Sequence, residues 1–106
     1  LRTAEKKGES FFCNAKDADA TGFKSNEGFT VQKGSRIAST VAPAFTTSSY
    51  AIIRDMLEQD GVIKSGVFQR DHGFSSPSAA ASVVLGNSSN GRLLWKTAGG
   101  VKLGDL

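Results

Sequence analysis

In the first third of the chain, apolar residues alternate with polar ones at the period of a strand. Phe11, Cys13 and Ala15 fall on one side of an extended segment, and Phe23, then Phe29 and Val31, mark two further stretches. Between them Ser25-Asn26-Glu27-Gly28 has turn chemistry, with Gly28 free to take positive φ. The segment from Ser10 to Ile37 is therefore predicted to form a hairpin or short meander that closes at Gly34-Ser35. Asp17-Ala18-Asp19-Ala20 reads as an exposed loop. Its two aspartates do not continue into the ligand series that a calcium loop requires.

The pattern then changes period. Residues 37–49 are rich in Ser, Thr and Ala around Pro43, as in a connector that drops Val41 and Phe45 onto the core. From Ser49 to Asp60 the spacings Ile52–Met56 and Ile53–Leu57 predict a helix with one apolar face. Ser48 or Ser49 is placed to cap it, and Gly61 can take the left-handed position after it, with Val62 closing on Leu57. Short strands are expected at Val62–Lys64 and Val67–Arg70, turned by Ser65-Gly66. A second helix is bounded by Ser76 as N-cap, Pro77 at the first helical position and Gly86 as the stop, with small Ala79, Ala80 and Ala81 allowing close approach to a sheet. After a turn at Asn87-Ser88-Ser89-Asn90-Gly91, Leu93–Lys96 reads as a strand holding the sole tryptophan. Ala98-Gly99-Gly100 turns again, and Val101–Leu106 closes the chain. The predicted class is α+β: a small, mainly antiparallel sheet of about five to six short strands with two helices. It forms one domain over 1–106, with a β-rich part (10–37) and a helix-strand-strand-helix-strand part (48–106).

Composition narrows the chemistry. With 106 residues there is room for one core that needs no staple. The single cysteine, Cys13, forms no disulfide within the chain, so a reducing, cytoplasmic setting is the simpler reading, and its neighbours Phe11 and Phe12 favour a buried, inert thiol. No apolar run approaches the ~20 residues of a membrane span, and 1–10 lack the apolar core of a secretory signal. The chain opens on Leu rather than Met, as expected of a module cut from a longer protein. The net charge of +3 is spread along the sequence and permits a polyanion partner without demanding one.

Catalysis finds little purchase. The sole histidine, His72, is expected in a loop before the second helix. One Cys and one His cannot build a zinc site, the carboxylates lie on different elements, and the glycines form no phosphate loop. No catalytic residue, metal or cofactor is expected. Binding residues are easier to name. Ser76 and Ser78 place hydroxyls at a helix N-terminus, a natural phosphate seat, although Ser76 also needs no role beyond capping. Asn87, Asn90, Arg92 and Lys96 follow the same helix and share a neighbourhood with Trp95 if the chain folds back. Amide, cation and indole together can hold nucleic acid through phosphate contacts and base stacking, although a tryptophan in Leu93-Leu94-Trp95 is more often core than platform.

Phe74-Ser75-Ser76-Pro77-Ser78-Ala79-Ala80-Ala81, Leu85-Gly86, Ser89-Asn90-Gly91 and Trp95 resemble the domain of unknown function found near the C-terminus of GIY-YIG nuclease-like bacterial proteins. They also resemble the related module associated with restriction-system adenine methylases. Leu57 with Asp60-Gly61-Val62 fits the pattern, as do Ala18-Asp19-Ala20, Gly22-Phe23, Gly28-Phe29, Val31 and Gly34-Ser35. The resemblance implies no catalytic residue. It implies an accessory that recognises DNA, modified DNA included, beside the other domains of a parent protein and away from membranes. The family commonly has a second tryptophan directly after Asn-Gly, where this chain has Arg92. Two functions stay open: a DNA-binding accessory module, and a structural or protein-interaction domain that positions a catalytic partner.

Overall fold

The computed structural model describes residues 10–15, 17–87 and 89–105. The mixed-charge stretch 1–9, Lys16, Ser88 of the Asn-rich turn and the last residue, Leu106, lie outside them. Among the described residues there are six strands: β1 (Phe11–Cys13), β2 (Ala20–Ser25), β3 (Gly28–Val31), β4 (Ile63–Lys64), β5 (Val67–Phe68) and β6 (His72–Phe74). There are three α-helices: α1 (Ser49–Gln59), α2 (Pro77–Leu85) and the single turn α3 (Gly91–Leu94). Two 3-10 turns cover Pro43–Thr47 and Leu103–Asp105. The fold is α+β, with a four-stranded antiparallel sheet ordered β1-β2-β3-β6 and a separate β4-β5 hairpin.

Alternation along the strands decides which side chains are buried. The register Phe11↔Gly22, Cys13↔Ala20, Gly22↔Val31 and Phe29↔Phe74 puts Phe11, Cys13, Ala20, Val31 and Phe74 on one face, all buried. Gly22 has no side chain for a packing reason, because a Cβ there would stand 2.4 Å from the Phe29 ring. The ring therefore lies over the strand and meets Trp95, with centroids 4.6 Å apart, while Phe11 lies 6.2 Å to its other side. Helix α2 supplies the second layer. Every residue from Ala79 to Leu85 is buried, as expected of a helix with no polar side that is enclosed all round.

The helix ends follow the predicted chemistry. The Ser76 hydroxyl accepts from Ala79 N at 3.1 Å, and Gly86 closes α2 at φ 70°. Helix α1 ends as expected from Leu57, Gly61 and Val62: Val62 N donates to Leu57 O at 2.9 Å, Gly61 N to Glu58 O at 3.2 Å, and Gly61 sits at φ 78°. At the start of α1 the outcome differs. Ser48 is the N-cap, but its hydroxyl donates back to Phe45 O in the preceding 3-10 turn and caps nothing.

Five expectations are corrected. The α1 apolar face is rotated: Leu57 is buried and Ile53 partly so, but Ile52 and Met56 are 62% and 54% exposed, about 100° round the helix from their neighbours. Arg54 fills the vacated core position. Residues 17–20 form no free loop, because Asp19 and Arg36 exchange both backbone hydrogen bonds and Ala18 is buried. His72 lies in edge strand β6 opposite Val31, where Val31 and Phe29 offered β3 a free second side. Leu93–Lys96 is not a strand. The Asn90 side chain accepts from Arg92 N at 3.0 Å and nucleates the one-turn α3, overriding the strand preference of Leu-Leu-Trp. Finally, Val41, expected on the core with Phe45, is 39% exposed, and only Phe45 is buried.

Two measurements probe this packing. A Cβ on Gly91 would fall 2.2 Å from the Pro77 carbonyl carbon, whereas one on Gly99 meets only the Thr97 hydroxyl, at 3.8 Å. Gly91→Ala is expected to lower unfolding stability by about 3 kcal/mol or more in urea titrations, and Gly99→Ala to change it by less than about 0.5 kcal/mol. Burial pushes the Cys13 thiol up from 9.0 to about 11, against a smaller downward pull from the Lys96 cation. The folded state thus holds the proton longer than the unfolded chain. The resulting stability is whole below pH 9 and falls away as pH rises from 9 to 11. Stability against pH, compared with Cys13→Ala, tests this: the variant should lack that part of the alkaline decline.

Candidate nucleic-acid interface

The residues singled out around α2 do come together, in a joint. Ser78 Oγ accepts from Gly91 N at 2.9 Å, and Trp95 Nε1 donates to Pro77 O at 3.0 Å. Gly91 lies so close to the first turn of α2 that a Cβ on it would stand 2.5 Å from Ser78 N. The Ser76 and Ser78 oxygens thus receive backbone N–H groups, and the chain itself covers the helix N-terminus. Trp95 is fully buried, with its ring against Phe29. It offers no face to a base.

The amides on the connecting loop also serve the fold. Asn90 caps α3. The Asn87 side-chain carbonyl accepts from the Ser89 hydroxyl, and Ser89 N donates to Ser82 Oγ at 3.1 Å. The residues of the set that reach solvent as cations are Arg92 and Lys96.

Around Lys96 the geometry is more informative. Phe12 N donates to Lys96 O at 2.7 Å and Lys96 N to Phe12 O at 3.0 Å, so this residue extends the sheet beyond β1. On its other side Lys96 bridges Lys102, also antiparallel. Bridged residues project to the same face. Phe12, Lys96 and Lys102 therefore stand side by side on the sheet face that points away from α2, beside Thr21, the partner of Phe12 in β2. Phe23, two residues on from Thr21, shares that face. Phe12 and Phe23 are half-buried, and both lysines are exposed. A recess of about 260 Å³ opens here, walled by Phe12, Asn14, Leu94, Lys96, Thr97 and Gly100. Arg92 lies around the corner against Gly104, where an added Cβ would be 3.1 Å from the Arg92 Cβ.

Two like charges directly opposite across a bridge are mutually destabilising, and an anion between them relieves that repulsion. An aromatic ring in the next position adds a stacking surface. Phe12 was missed as a site residue although its signal was present: if Phe11 and Cys13 face the core, Phe12 faces outward. Lys102 was legible only as a solvated cation, because nothing in sequence sets it opposite Lys96.

His72 packs edge-to-face on Phe74 with centroids 4.9 Å apart. Burial first, and the Arg70 cation second, push its pKa below 6.5, while Glu27 opposes them. Among the described residues no group of three or more His, Cys, Asp or Glu side chains is placed to hold a metal ion, and no helix is long and apolar enough to cross a membrane.

Comparison with known proteins found no match among curated proteins and none among solved structures. A family model does match. It covers residues 11–106, the whole span from β1 through the joint at Trp95 to the C-terminal turn. The chain belongs to the family of the domain of unknown function DUF4357.

Proposed function

We propose that this domain is a non-catalytic accessory module that binds DNA through the edge of its sheet. The phosphates would meet Lys96, Lys102 and Arg92, and an unpaired or displaced base would lie on Phe12. The observation that carries the reading is the run of bridges Phe12–Lys96–Lys102, which lines up one aromatic side chain and two ammonium groups on one face. Phosphate charge supplies most non-specific affinity for nucleic acid, and stacking on aromatic side chains tolerates any base. The joint of Ser76, Ser78, Asn90 and Trp95 then positions this edge and does not itself touch the ligand. The reading extends to context: a cytoplasmic parent protein of nuclease or restriction-modification type, whose catalytic domain lies outside this chain, and DNA that includes modified bases.

One observation favours the second reading, a domain that docks a catalytic partner. Ile52 and Met56, one turn apart on α1, expose more than half of their surface.

The test is fluorescence anisotropy of labelled single-stranded, duplex and adenine-methylated duplex DNA, across a series of salt concentrations. Salt-sensitive binding is expected. Lys96→Ala and Lys102→Ala should each reduce the slope of log affinity against log salt, by about 0.7 on single strands and 0.9 on duplex. Phe12→Ala should weaken single-strand binding by about 1–3 kcal/mol and leave the slope unchanged. Tighter binding to methylated duplex would extend the reading to modified DNA. Absence of binding at low salt, or native affinity and slope in the double lysine variant, would overturn it and leave the Ile52–Met56 face as the functional surface.

A further inference from the structure

The recess of about 260 Å³ beside Lys96 has the parts of a seat for one nucleotide. Phe12 and Leu94, both half-buried, give it apolar walls, and Asn14 stands exposed among its lining. Asn14 is two residues on from Phe12, so alternation turns it to the same face of the sheet. Its Nδ2 donates to Asp19 Oδ1 at 3.1 Å. An ionised carboxylate only accepts, so this bond fixes which end of the amide is nitrogen. Asp19 is held in turn, because its backbone N–H and carbonyl both bond Arg36. The charges are separated across the face. Lys96 and Lys102 lie on one side of β1, and Asp19, with Arg36 bridged opposite it, lies on the other. At the turn, a Cβ on Gly100 would meet nothing within 4 Å, which leaves that end open for a strand to enter and leave.

A base paired in a duplex has its Watson–Crick edge occupied and its faces covered by its neighbours. An unpaired base shows both, and on that edge each of the four bases sets a donor beside an acceptor. A side-chain amide carries the same pair of groups and can meet any of them. We propose that this recess seats one unpaired nucleotide of any base, its ring on Phe12, its edge at Asn14 and its phosphate between Lys96 and Lys102. The inference rests on the DNA reading above and narrows it to single strands, bulges and strand ends. An inorganic anion would use only the two lysines, and an apolar ligand only Phe12 and Leu94. A nucleotide uses walls, amide and cations together.

Labelled DNA strands of equal length, compared by fluorescence anisotropy at low salt, separate these cases. One strand is wholly abasic, and the others are abasic except for a single central nucleotide. One thymidine is expected to tighten binding about fivefold or more over the abasic strand, and the other three bases to fall within about threefold of it. A duplex with one bulged thymidine should likewise exceed the fully paired duplex about fivefold or more. Difluorotoluene has the shape of thymine without its hydrogen bonds. The ratio of thymidine to difluorotoluene affinity should fall about threefold or more in Asn14→Ala, a change at an exposed position. Equal binding of the abasic and thymidine strands, equal binding of the bulged and paired duplexes, or a ratio indifferent to Asn14→Ala would each overturn the nucleotide seat and leave phosphate-led DNA binding in place. Failure of every strand and duplex to bind would overturn both.

Discussion

The placement of Trp95 is the constraint on which the rest of this domain depends. Its ring packs on Phe29 at the centre of the sheet, and its indole N–H holds the Pro77 carbonyl at the start of α2. Its backbone N–H bonds Gly91 O, and its carbonyl accepts from Leu103 N. One residue thus joins the sheet, the buried helix, the one-turn helix and the C-terminal turn. Two glycines make the joint possible by what they lack. Gly22 leaves room for the Phe29 ring, and Gly91 lets its own backbone rest on the first turn of α2. The indole N–H would be costly to bury without a partner, so the Pro77 carbonyl fixes the orientation of Trp95 as well as its burial.

The surface follows from that interior. With Trp95 turned inward, alternation turns Lys96 outward, and the two backbone bonds between Lys96 and Phe12 carry that direction onto the edge of the sheet. Leu103 N bonding to Trp95 O draws the last segment alongside, which sets Lys102 opposite Lys96. The cationic edge is thus the outer side of the joint. A substitution that loosens the Trp95 packing would scatter the lysines without touching either one.

Much of this was written locally in the sequence. Ser76-Pro77, Gly86 and the Leu57–Gly61–Val62 ending of α1 act through bonds a few residues long, and each is found where the residues predict it. Alternation around Phe11, Phe29 and Val31 gave the sheet. The errors arose where a short-range preference met a choice made by distant residues. Leu93-Leu94-Trp95 has the composition of a strand, but the Asn90 cap and the fit of Gly91 on Pro77 make it a turn of helix. His72-Gly73-Phe74 has weak strand character of its own and becomes one because β3 has an open side. Arg54 was the hardest to see. A cation on the Tyr50–Leu57 stripe looks like a break in the apolar pattern until the Ala38 carbonyl and the Phe45 ring appear opposite it. Among the site residues, Arg92 and Lys96 were legible as exposed cations, whereas the inward turn of Trp95 depended on Phe29, more than sixty positions away.

Helix α2 also settles how the Lys96 edge and the Arg54 end of the domain relate. Its N-terminal turn holds Trp95, and through it Lys96. Its C-terminal turn receives Ala38 N on Val84 O, Ala42 N on Gly86 O and the Arg54 guanidinium over Gly86. Between these ends every residue from Ala79 to Leu85 is buried, and close-packed interiors do not deform gradually. A ligand changes a distant site only by favouring one of two arrangements that differ in affinity for it, and a helix enclosed on all sides with both ends tied has no second register to adopt. The two ends are therefore coupled through the stability of the whole domain. Anything that binds the folded state at either end stabilises the same state by mass action, with no shift of α2.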